Sequence, residues 1–168
     1  SFVLGLQGPC ISFDTACSSS LAALHAGMRG VQHSECPSAL VGGVNMVFDP
    51  GACIGMALAG MTSACGRSHT FDRRADGYAR GEACGGAVLQ PAGEEAAALS
   101  VLGCAVRQDG RSASLTAPNG QAQRALLRAA LADGGVAAAA VARVEAHGTG
   151  TALGDPIEAG SLAGAVLS

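Results

Sequence analysis

Residues 14–21 read Asp14-Thr15-Ala16-Cys17-Ser18-Ser19-Ser20-Leu21 and join a short alternating segment to an amphipathic one. Before them, residues 10–13 alternate large and small side chains, as a short buried strand would. After them, apolar side chains recur at helical spacing, at Leu21, Leu24, Met28 and Val31. This pattern predicts a helix that ends near Ser34, with Cys17 placed where a strand meets the helix.

Cys17 at such a junction has the setting of a reactive thiol. The unpaired N–H groups and the positive dipole end of a helix favour the thiolate over the thiol. Three small serines follow, so a carbonyl substrate could come close while hydroxyls and amides cap the first helical turn. A free cysteine is also often a small buried hydrophobic residue, and this structural interpretation of Cys17 stays open at this point.

Composition limits the classes of protein to which the chain could belong. Of its 168 residues, 49% are hydrophobic and 14% are charged, which is enough for one domain with its own core. The net charge of −3 argues against a nucleic-acid-binding surface. All ten basic residues are arginines, so the chain offers no lysine for a Schiff base or a P-loop.

The seven cysteines follow neither a disulfide pattern nor a zinc-binding pattern. Their number is odd and no two are spaced as C-x-x-C, so no metal site is predicted. Free thiols predict a reducing compartment, with the cytoplasm as first choice and a plastid as the alternative. No signal peptide is visible, and no apolar run reaches the roughly 18 residues that span a membrane. The chain lacks an initiator Met and ends within an apolar helical pattern, so we expect an internal piece of a longer polypeptide.

Strand-like and helix-like segments alternate along the chain. Strands are predicted at residues 10–13, 38–45, 84–90, 99–108 and 141–145. Helices are predicted at residues 17–34, 52–61 and 120–133 and from Asp155 onward. In the last of these, Asp155 is the expected N-cap and Pro156 the first helical residue. The alternation predicts an α/β domain whose central sheets are covered on both faces.

Three polar segments connect these elements. A turn is predicted at residues 49–51 and a charged surface connection at residues 91–95. The longest polar segment, residues 62–82, is punctuated by glycines and holds four of the chain's arginines. Because charge at this density more often forms a salt-bridged loop than a functional site, we predict such a loop here.

His147 is the histidine with a chemical context. It follows the predicted strand 141–145 and precedes Gly148-Thr149-Gly150-Thr151, a loop with little side-chain bulk and two hydroxyls. Such a loop can hold an imidazole at the mouth of a cleft beside a long polar ligand. A thiolate and an imidazole are the minimum for acyl transfer, so Cys17 and His147 form the candidate catalytic pair. The other histidines are predicted to be packing or surface residues: His25, His33 and His69.

Taken together, these segments resemble the ketosynthase domains of type I polyketide synthases, in the thiolase-like condensing-enzyme superfamily. The matching blocks occur in the family order and cover nearly the whole chain. They are Gly8-Pro9 with residues 14–21, Val41-Gly42-Gly43-Val44-Asn45, Thr70-Phe71-Asp72, Ala75-Asp76-Gly77-Tyr78, Arg80-Gly81-Glu82, Gln108-Asp109-Gly110-Arg111, residues 115–120, residues 145–151 and Gly154-Asp155-Pro156-Ile157-Glu158.

This resemblance implies a partial thiolase-like α/β fold, layered α-β-α-β-α. Residues 1–90 would be the C-terminal part of the first half, which carries the nucleophile, and residues 91–168 the N-terminal part of the second half. Both would belong to one ketosynthase domain truncated at both ends. The segment Cys10–Phe13 resembles the strand that pairs with its twin across the family's dimer axis, which implies a homodimer.

The resemblance also implies a two-step reaction. Cys17 would take an acyl group from the phosphopantetheine arm of an acyl carrier protein. A malonyl-type extender would then lose carbon dioxide, and its enolate would attack the Cys17 thioester to give a 3-ketoacyl product. His147 matches the histidine that stabilises an oxyanion in the decarboxylative step, and Thr149 and Thr151 match threonines that contact the pantetheine arm. The implied partner is the acyl carrier protein. No directly bound cofactor, nucleic acid or membrane span is expected.

Three other interpretations stay open on the sequence. A thiolase or fatty-acid synthase relative would use the same cysteine, although the His-Gly-Thr-Gly-Thr loop is untypical of a thiolase that does not decarboxylate an extender. A non-elongating ketosynthase-like domain would serve dimerisation and carrier-protein docking, although Cys17 and His147 are intact. A cysteine protease would need an Asn or Asp to orient His147, and nothing in the sequence resembles one. The family's second catalytic histidine and its lysine fall beyond residue 168, so we expect these residues alone to be inactive.

Overall fold

A computed structural model of the chain describes residues 1–93, 97–114 and 116–167. Glu94 and Glu95 of the predicted charged connection therefore lie outside the described residues. The chain divides into two compact units, Ser1–Met46 with Glu82–Ser100, and Val47–Gly81 with Val101–Ser168. Each unit is thus built from two separate stretches of the chain.

In the first unit, a helix packs on a pair of antiparallel strands. A short 3-10 helix, Ala16–Ser18, leads into helix α1, Ser19–Gln32. Strand β1, Ala39–Asn45, pairs with strand β2, Ala83–Leu89, so that Ala39 lies opposite Leu89 and Asn45 opposite Ala83. The predicted first helix and the strands predicted at 38–45 and 84–90 are confirmed within two residues at each end.

Two glycines allow α1 to lie directly on β1. A Cβ atom on Gly27 would lie 2.5 Å from Val41 Cγ1, and a Cβ atom on Gly43 would lie 2.7 Å from the Cβ of Ser20. Because neither glycine has a side chain, the helix comes closer to the strand than alanine would permit. The other face of the strand pair carries exposed apolar residues, Leu40, Val44 and Val88.

The second unit contains three further α-helices among the residues that the structure describes. Helix α2, Pro50–Leu58, starts after Asp49, whose carboxylate accepts a hydrogen bond from the Gly51 N–H at 2.9 Å. The turn predicted at residues 49–51 is therefore wrong, because these residues cap and begin a helix. The remaining two helices are α3, Gly120–Asp133, and α4, Gly154–Val166. No described helix is long and apolar enough to cross a membrane.

Helix α3 begins and ends where its sequence predicts. The side chain of Asn119 accepts hydrogen bonds from the N–H groups of Gln121 and Ala122, which caps the first turn. At the other end, Gly134 follows the last helical residue and Gly135 has a φ of +62°.

Helices α3 and α4 pack through polar contacts with backbone carbonyls. Arg128 donates a hydrogen bond to the Gly164 carbonyl at 2.9 Å. Ser161 is buried, and its hydroxyl lies 3.0 Å from the Gly120 carbonyl and 2.7 Å from that of Ile157. These contacts hold α4, and with it the residues that precede it, against α3.

Three predicted strands are absent from the described part of the chain, at residues 10–13, 99–108 and 141–145. Within the second of these segments, Gly103 and Cys104 instead lie against the end of α3. The Cys104 N–H donates to the Asp133 carboxylate at 2.9 Å, and the backbone of Gly103 contacts that of Gly134. These strand predictions are wrong because alternation of side chains does not supply the neighbouring strand that a hydrogen-bonded ladder requires.

Candidate active site

Cys17 lies in a tight turn immediately before α1. The preceding residue, Ala16, has a φ of +54°, a left-handed conformation that is uncommon for residues other than glycine. The Ser19 hydroxyl accepts a hydrogen bond from the Thr15 N–H at 2.9 Å and donates one to the Ala16 carbonyl at 2.7 Å. Ser19 therefore holds both sides of the strained residue. The thiol of Cys17 is free and exposed.

The surroundings of Cys17 differ from the sequence prediction in two ways. No strand precedes the turn in the described residues, so Cys17 lies between a loop and a helix. The serine hydroxyls do not cap α1 either: Ser18 is the N-cap residue without a side-chain cap hydrogen bond, and its hydroxyl donates to the Thr15 carbonyl at 3.0 Å. The position of Cys17 at the start of a helix is confirmed.

Removing the Ser19 hydroxyl should disturb the position of Cys17. In the complete protein, we expect Ser19→Ala to slow alkylation of Cys17 by iodoacetamide about 3- to 10-fold, because the turn loses two hydrogen bonds. Adding Ala16→Gly should restore the rate, since glycine adopts a positive φ without steric cost. Peptide mass spectrometry distinguishes Cys17 from the other thiols. An unchanged rate in Ser19→Ala would show that the turn persists without this hydroxyl.

Residues 147–151 form a loop that enters α4. Gly148 and Gly150 have φ values of +55° and +68°, so both take the left-handed conformation that glycine adopts without steric cost. The hydroxyl oxygens of Thr149 and Thr151 lie 3.2 Å apart, and the Thr151 oxygen accepts a hydrogen bond from the Gly154 N–H at 3.1 Å. The structure therefore brings the two candidate binding threonines together. The side chain of His147, in the same loop, is exposed.

Two carboxylates of α4 accept hydrogen bonds from the backbone of this loop. Asp155 is 4% exposed, and its Oδ1 accepts hydrogen bonds from the N–H groups of Gly150 at 3.0 Å and Thr151 at 3.4 Å. Glu158 accepts hydrogen bonds from the N–H groups of His147 at 2.6 Å and Gly148 at 2.8 Å. Every backbone amide of the loop except that of Thr149 thus has a carboxylate partner.

Asp155 does not have the role that the sequence predicts for it. It lies inside the first turn of α4, and the N-cap residue is Leu153. Its second oxygen, Oδ2, accepts a hydrogen bond from the Phe71 N–H at 2.6 Å, across 84 positions of sequence. A buried carboxylate that accepts several backbone hydrogen bonds ties their segments together. The Asp-Pro pair predicts a local cap and gives no signal for a partner so distant in sequence.

The segment of residues 69–78 lies against the other side of the loop. The Thr70 hydroxyl donates a hydrogen bond to the Gly148 carbonyl at 2.5 Å, and the Gly77 N–H donates to the Gly150 carbonyl at 2.9 Å. Gly77 has a φ of +124°, and a Cβ atom there would lie 2.6–2.7 Å from the backbone of residues 61–63. This part of the polar segment 62–82 therefore holds the candidate site in place. The charge density of the segment does not predict that role.

The outer side of the same segment carries an ion pair. Arg74 and Asp72 approach to 2.8 Å, and side-chain and backbone hydrogen bonds from Arg74 hold the pKa of Asp72 well below its usual range. The hydrogen bond to Asp72 raises the pKa of Arg74 in turn. The Asp72 side chain is 34% exposed, so solvent weakens the pair. The predicted salt-bridged loop thus exists, but it describes only one side of the segment.

The candidate residues are divided between the two units. Cys17 belongs to the first unit, whereas His147, Thr149 and Thr151 belong to the second. The pairing of Cys17 with His147 stays a prediction. Within the described residues, no cluster of three or more His, Cys, Asp or Glu side chains could hold a metal ion.

Comparison with known proteins assigns both parts of the chain to one family. Residues 1–95 match the family model described as beta-ketoacyl synthase, N-terminal domain, and residues 98–168 match that of the beta-ketoacyl synthase C-terminal domain. The chain belongs to the beta-ketoacyl synthase family. The family resemblance seen in the sequence motifs is therefore confirmed.

Relatives of this beta-ketoacyl synthase chain are bacterial polyketide synthases. It is 48% identical over 168 residues to one of the phenolphthiocerol/phthiocerol polyketide synthase proteins of Mycobacterium tuberculosis, a match covering 96% of this chain and 8% of that protein. It is 46% identical over 167 residues to an erythronolide synthase of Saccharopolyspora erythraea, covering 96% of this chain and 5% of that protein. The chain therefore spans less than a tenth of these relatives.

Solved ketosynthase structures share the fold of this beta-ketoacyl synthase chain. The oxazolomycin ketosynthase domain of Streptomyces albus aligns with a TM-score of 0.89 at 38% identity, covering 98% of this chain and 29% of that one. The ketosynthase from module 6 of the bacillaene synthase of Bacillus subtilis aligns with a TM-score of 0.88 at 34% identity. This match covers 99% of this chain and 30% of that one. The predicted partial thiolase-like α/β fold is thereby confirmed.

Proposed function

We propose that this chain is the part of a polyketide synthase ketosynthase that carries the growing acyl group. The observation that carries the proposal is that nearly the whole chain matches the family models of the N-terminal and C-terminal beta-ketoacyl synthase domains. The chain is also 46–48% identical to polyketide synthases. The free, exposed thiol of Cys17 at the start of α1 supplies the nucleophile that such an enzyme needs.

In the proposed first step, the Cys17 thiolate attacks the thioester carbonyl of an acyl group held on the phosphopantetheine arm of an acyl carrier protein. The acyl–cysteine thioester forms and the pantetheine sulfur leaves as a thiolate. In the second step, a malonyl-type group on the carrier protein loses carbon dioxide and becomes an enolate. The enolate carbon attacks the Cys17 thioester, the cysteine thiolate leaves, and a 3-ketoacyl group stays on the carrier protein.

The loop of residues 147–151 would serve the second step. His147 would donate a hydrogen bond from its imidazole to the oxygen on which negative charge develops. Thr149 and Thr151, whose hydroxyls are neighbours, would hold the amide-bearing pantetheine arm. The phosphopantetheine belongs to the carrier protein and is substrate rather than a resident cofactor in this proposal.

The proposal extends to assembly and compartment. We propose the division at residues 90 and 91 as the boundary between the two thiolase-like halves. The two family models meet between residues 95 and 98, which supports this boundary.

A homodimer would form through residues 10–13. Ile11 is 64% exposed in the single chain, so its side chain is open to contact with a second copy. The polyketide synthase relatives are bacterial, which supports the cytoplasm and gives no support to a plastid.

The test uses the complete ketosynthase domain of the parent protein with acyl- and malonyl-loaded carrier proteins. Cys17→Ala should abolish the acyl adduct seen by intact-protein mass spectrometry and lower 3-ketoacyl formation by at least about 10³-fold, because no nucleophile remains. His147→Ala should preserve the adduct and lower carbon dioxide release. Cys65→Ala, which removes another exposed thiol, is the matched control and should behave as the wild type.

Three outcomes would contradict the proposal. An acyl adduct that persists in Cys17→Ala would place the nucleophile on another of the seven cysteines. A wild-type domain that loads the acyl group but never forms a 3-ketoacyl product would favour a non-elongating domain. An extender assay in which acetyl replaces malonyl without loss of product would favour a thiolase relative.

A further inference from the structure

We infer that Thr70 is a positioning residue for the loop of residues 147–151, acting through the peptide group of Gly148. The inference rests on the proposed function, because the proposed function assigns that loop a role in the decarboxylative step. Thr70 lies 78 positions before Gly148, in the segment whose composition predicts a salt-bridged loop, and it does not touch the reacting atoms in this proposal.

Both parts of the Thr70 side chain contact Gly148. Its hydroxyl donates a hydrogen bond to the Gly148 carbonyl at 2.5 Å. Its methyl carbon Cγ2 lies 2.7 Å from the point where a Cβ atom on Gly148 would be, so the methyl fills the space beside this glycine. A serine would keep the first contact and a valine would keep the second.

Gly148 is held at both of its backbone polar groups, the N–H and the carbonyl. Its N–H donates to the Glu158 carboxylate at 2.8 Å, while its carbonyl accepts from Thr70. Glycine has the widest choice of backbone conformations, and here φ is +55°. The amides on both sides of the peptide that joins Gly148 to Thr149 are held by Glu158 and Asp155, whereas the Thr149 N–H has no carboxylate partner among the described residues. Without the bond from Thr70, this peptide therefore loses its own anchor and can rotate between its fixed neighbours.

Rotation of this peptide would move the groups on both sides of it. His147 precedes Gly148 and Thr149 follows it, so one peptide sets the direction of the imidazole relative to the threonine hydroxyls. Small displacements of positioned groups lower rates strongly because catalysis depends on alignment. Thr70 should therefore act on the decarboxylative step and leave the nucleophile unaffected.

The experiment compares Thr70→Val, Thr70→Ser and the wild type in the complete ketosynthase domain. Thr70→Val keeps the shape and removes the donor, and we expect kcat for 3-ketoacyl formation to fall about 5- to 10-fold. Thr70→Ser keeps the donor and should retain at least about half of the wild-type kcat. The rate at which iodoacetamide alkylates Cys17 should be the same in all three proteins. Arg73→Ala, at an exposed position nearby, is the control for a change in the same segment.

Each outcome decides between definite alternatives. Equal kcat in Thr70→Val and the wild type would overturn the inference while leaving the proposed function intact. A loss in Thr70→Ser as large as that in Thr70→Val would overturn it too, by showing that the methyl, and not the hydroxyl, is what matters. If Thr70→Val does not fold, a wild-type-like kcat in Thr70→Ser supports the inference and a tenfold loss overturns it. A wild-type domain without 3-ketoacyl product would instead contradict the proposed function.

Discussion

Asp155→Asn is expected to destabilise the complete ketosynthase domain by about 2–3 kcal/mol and to slow condensation about 10²-fold. The carboxylate of Asp155 accepts from Gly150 and Thr151 through one oxygen and from Phe71 through the other. An asparagine of the same shape has one oxygen and one NH2 group. Whichever way its amide turns, the NH2 group faces a backbone N–H that has lost its acceptor, in a site that is almost completely buried.

The matched control for Asp155→Asn is Asp72→Asn. Asp72 is also a carboxylate with a hydrogen-bonded partner, but it lies at the surface beside Arg74. Its replacement should leave the urea midpoint of unfolding close to the wild-type value, because exposed ion pairs contribute little. Urea unfolding and the rate of 3-ketoacyl formation measure the two effects. If Asp155→Asn unfolds at the wild-type urea concentration, the three backbone bonds do not hold the loop as described.

Gly43→Ala is expected to impair the proposed first step, acyl loading of Cys17, by at least about tenfold, with a loss of about 1–3 kcal/mol in stability. The new Cβ atom would lie 2.7 Å from the Cβ of Ser20, which cannot rotate away because it is fixed to the helix backbone. Helix α1 must therefore shift at its first turn. Since Cys17 lies directly before that turn, the proposed nucleophile moves with it.

The control for Gly43→Ala is available across the strand pair. Gly85 lies opposite Gly43 in the β1–β2 register, and no atom of the described residues lies within 4 Å of a Cβ atom placed there. Gly85→Ala should therefore load the acyl group at the wild-type rate. Loading is followed by intact-protein mass spectrometry. If both variants load equally fast, the close contact between Gly43 and α1 does not control the position of Cys17.

The features that the sequence predicts well depend on neighbours within a few positions. Helix α3 is predicted nearly to the residue because Asn119 caps its first turn and two glycines follow its end. The placement of Cys17 at a helix start follows from the spacing of apolar residues in α1. The His147–Thr151 loop also lies where its glycines and threonines predict a loop.

The features that the sequence does not predict depend on partners far along the chain. The segment 99–108 alternates like a strand, but Cys104 in it hydrogen-bonds to Asp133 at the end of α3, 29 positions away. Asp155 looks like a helix cap because its pattern with proline is local, while its contact with Phe71 is invisible to any local pattern. Thr70 is likewise an ordinary threonine in a charged segment until its contact with Gly148 is seen.

The discontinuous make-up of the second unit limits how chimaeric synthases can be designed. One natural crossover lies near residues 95–98, where the match to the N-terminal family model ends and the match to the C-terminal one begins. It would take Val101–Ser168 from one parent and Val47–Gly81 from another. Such a hybrid would join residues 147–155 of one protein to a support that evolved with a different loop. A donor fragment that carries all of residues 1–168 would keep residues 147–155 with their own support and β2 with β1.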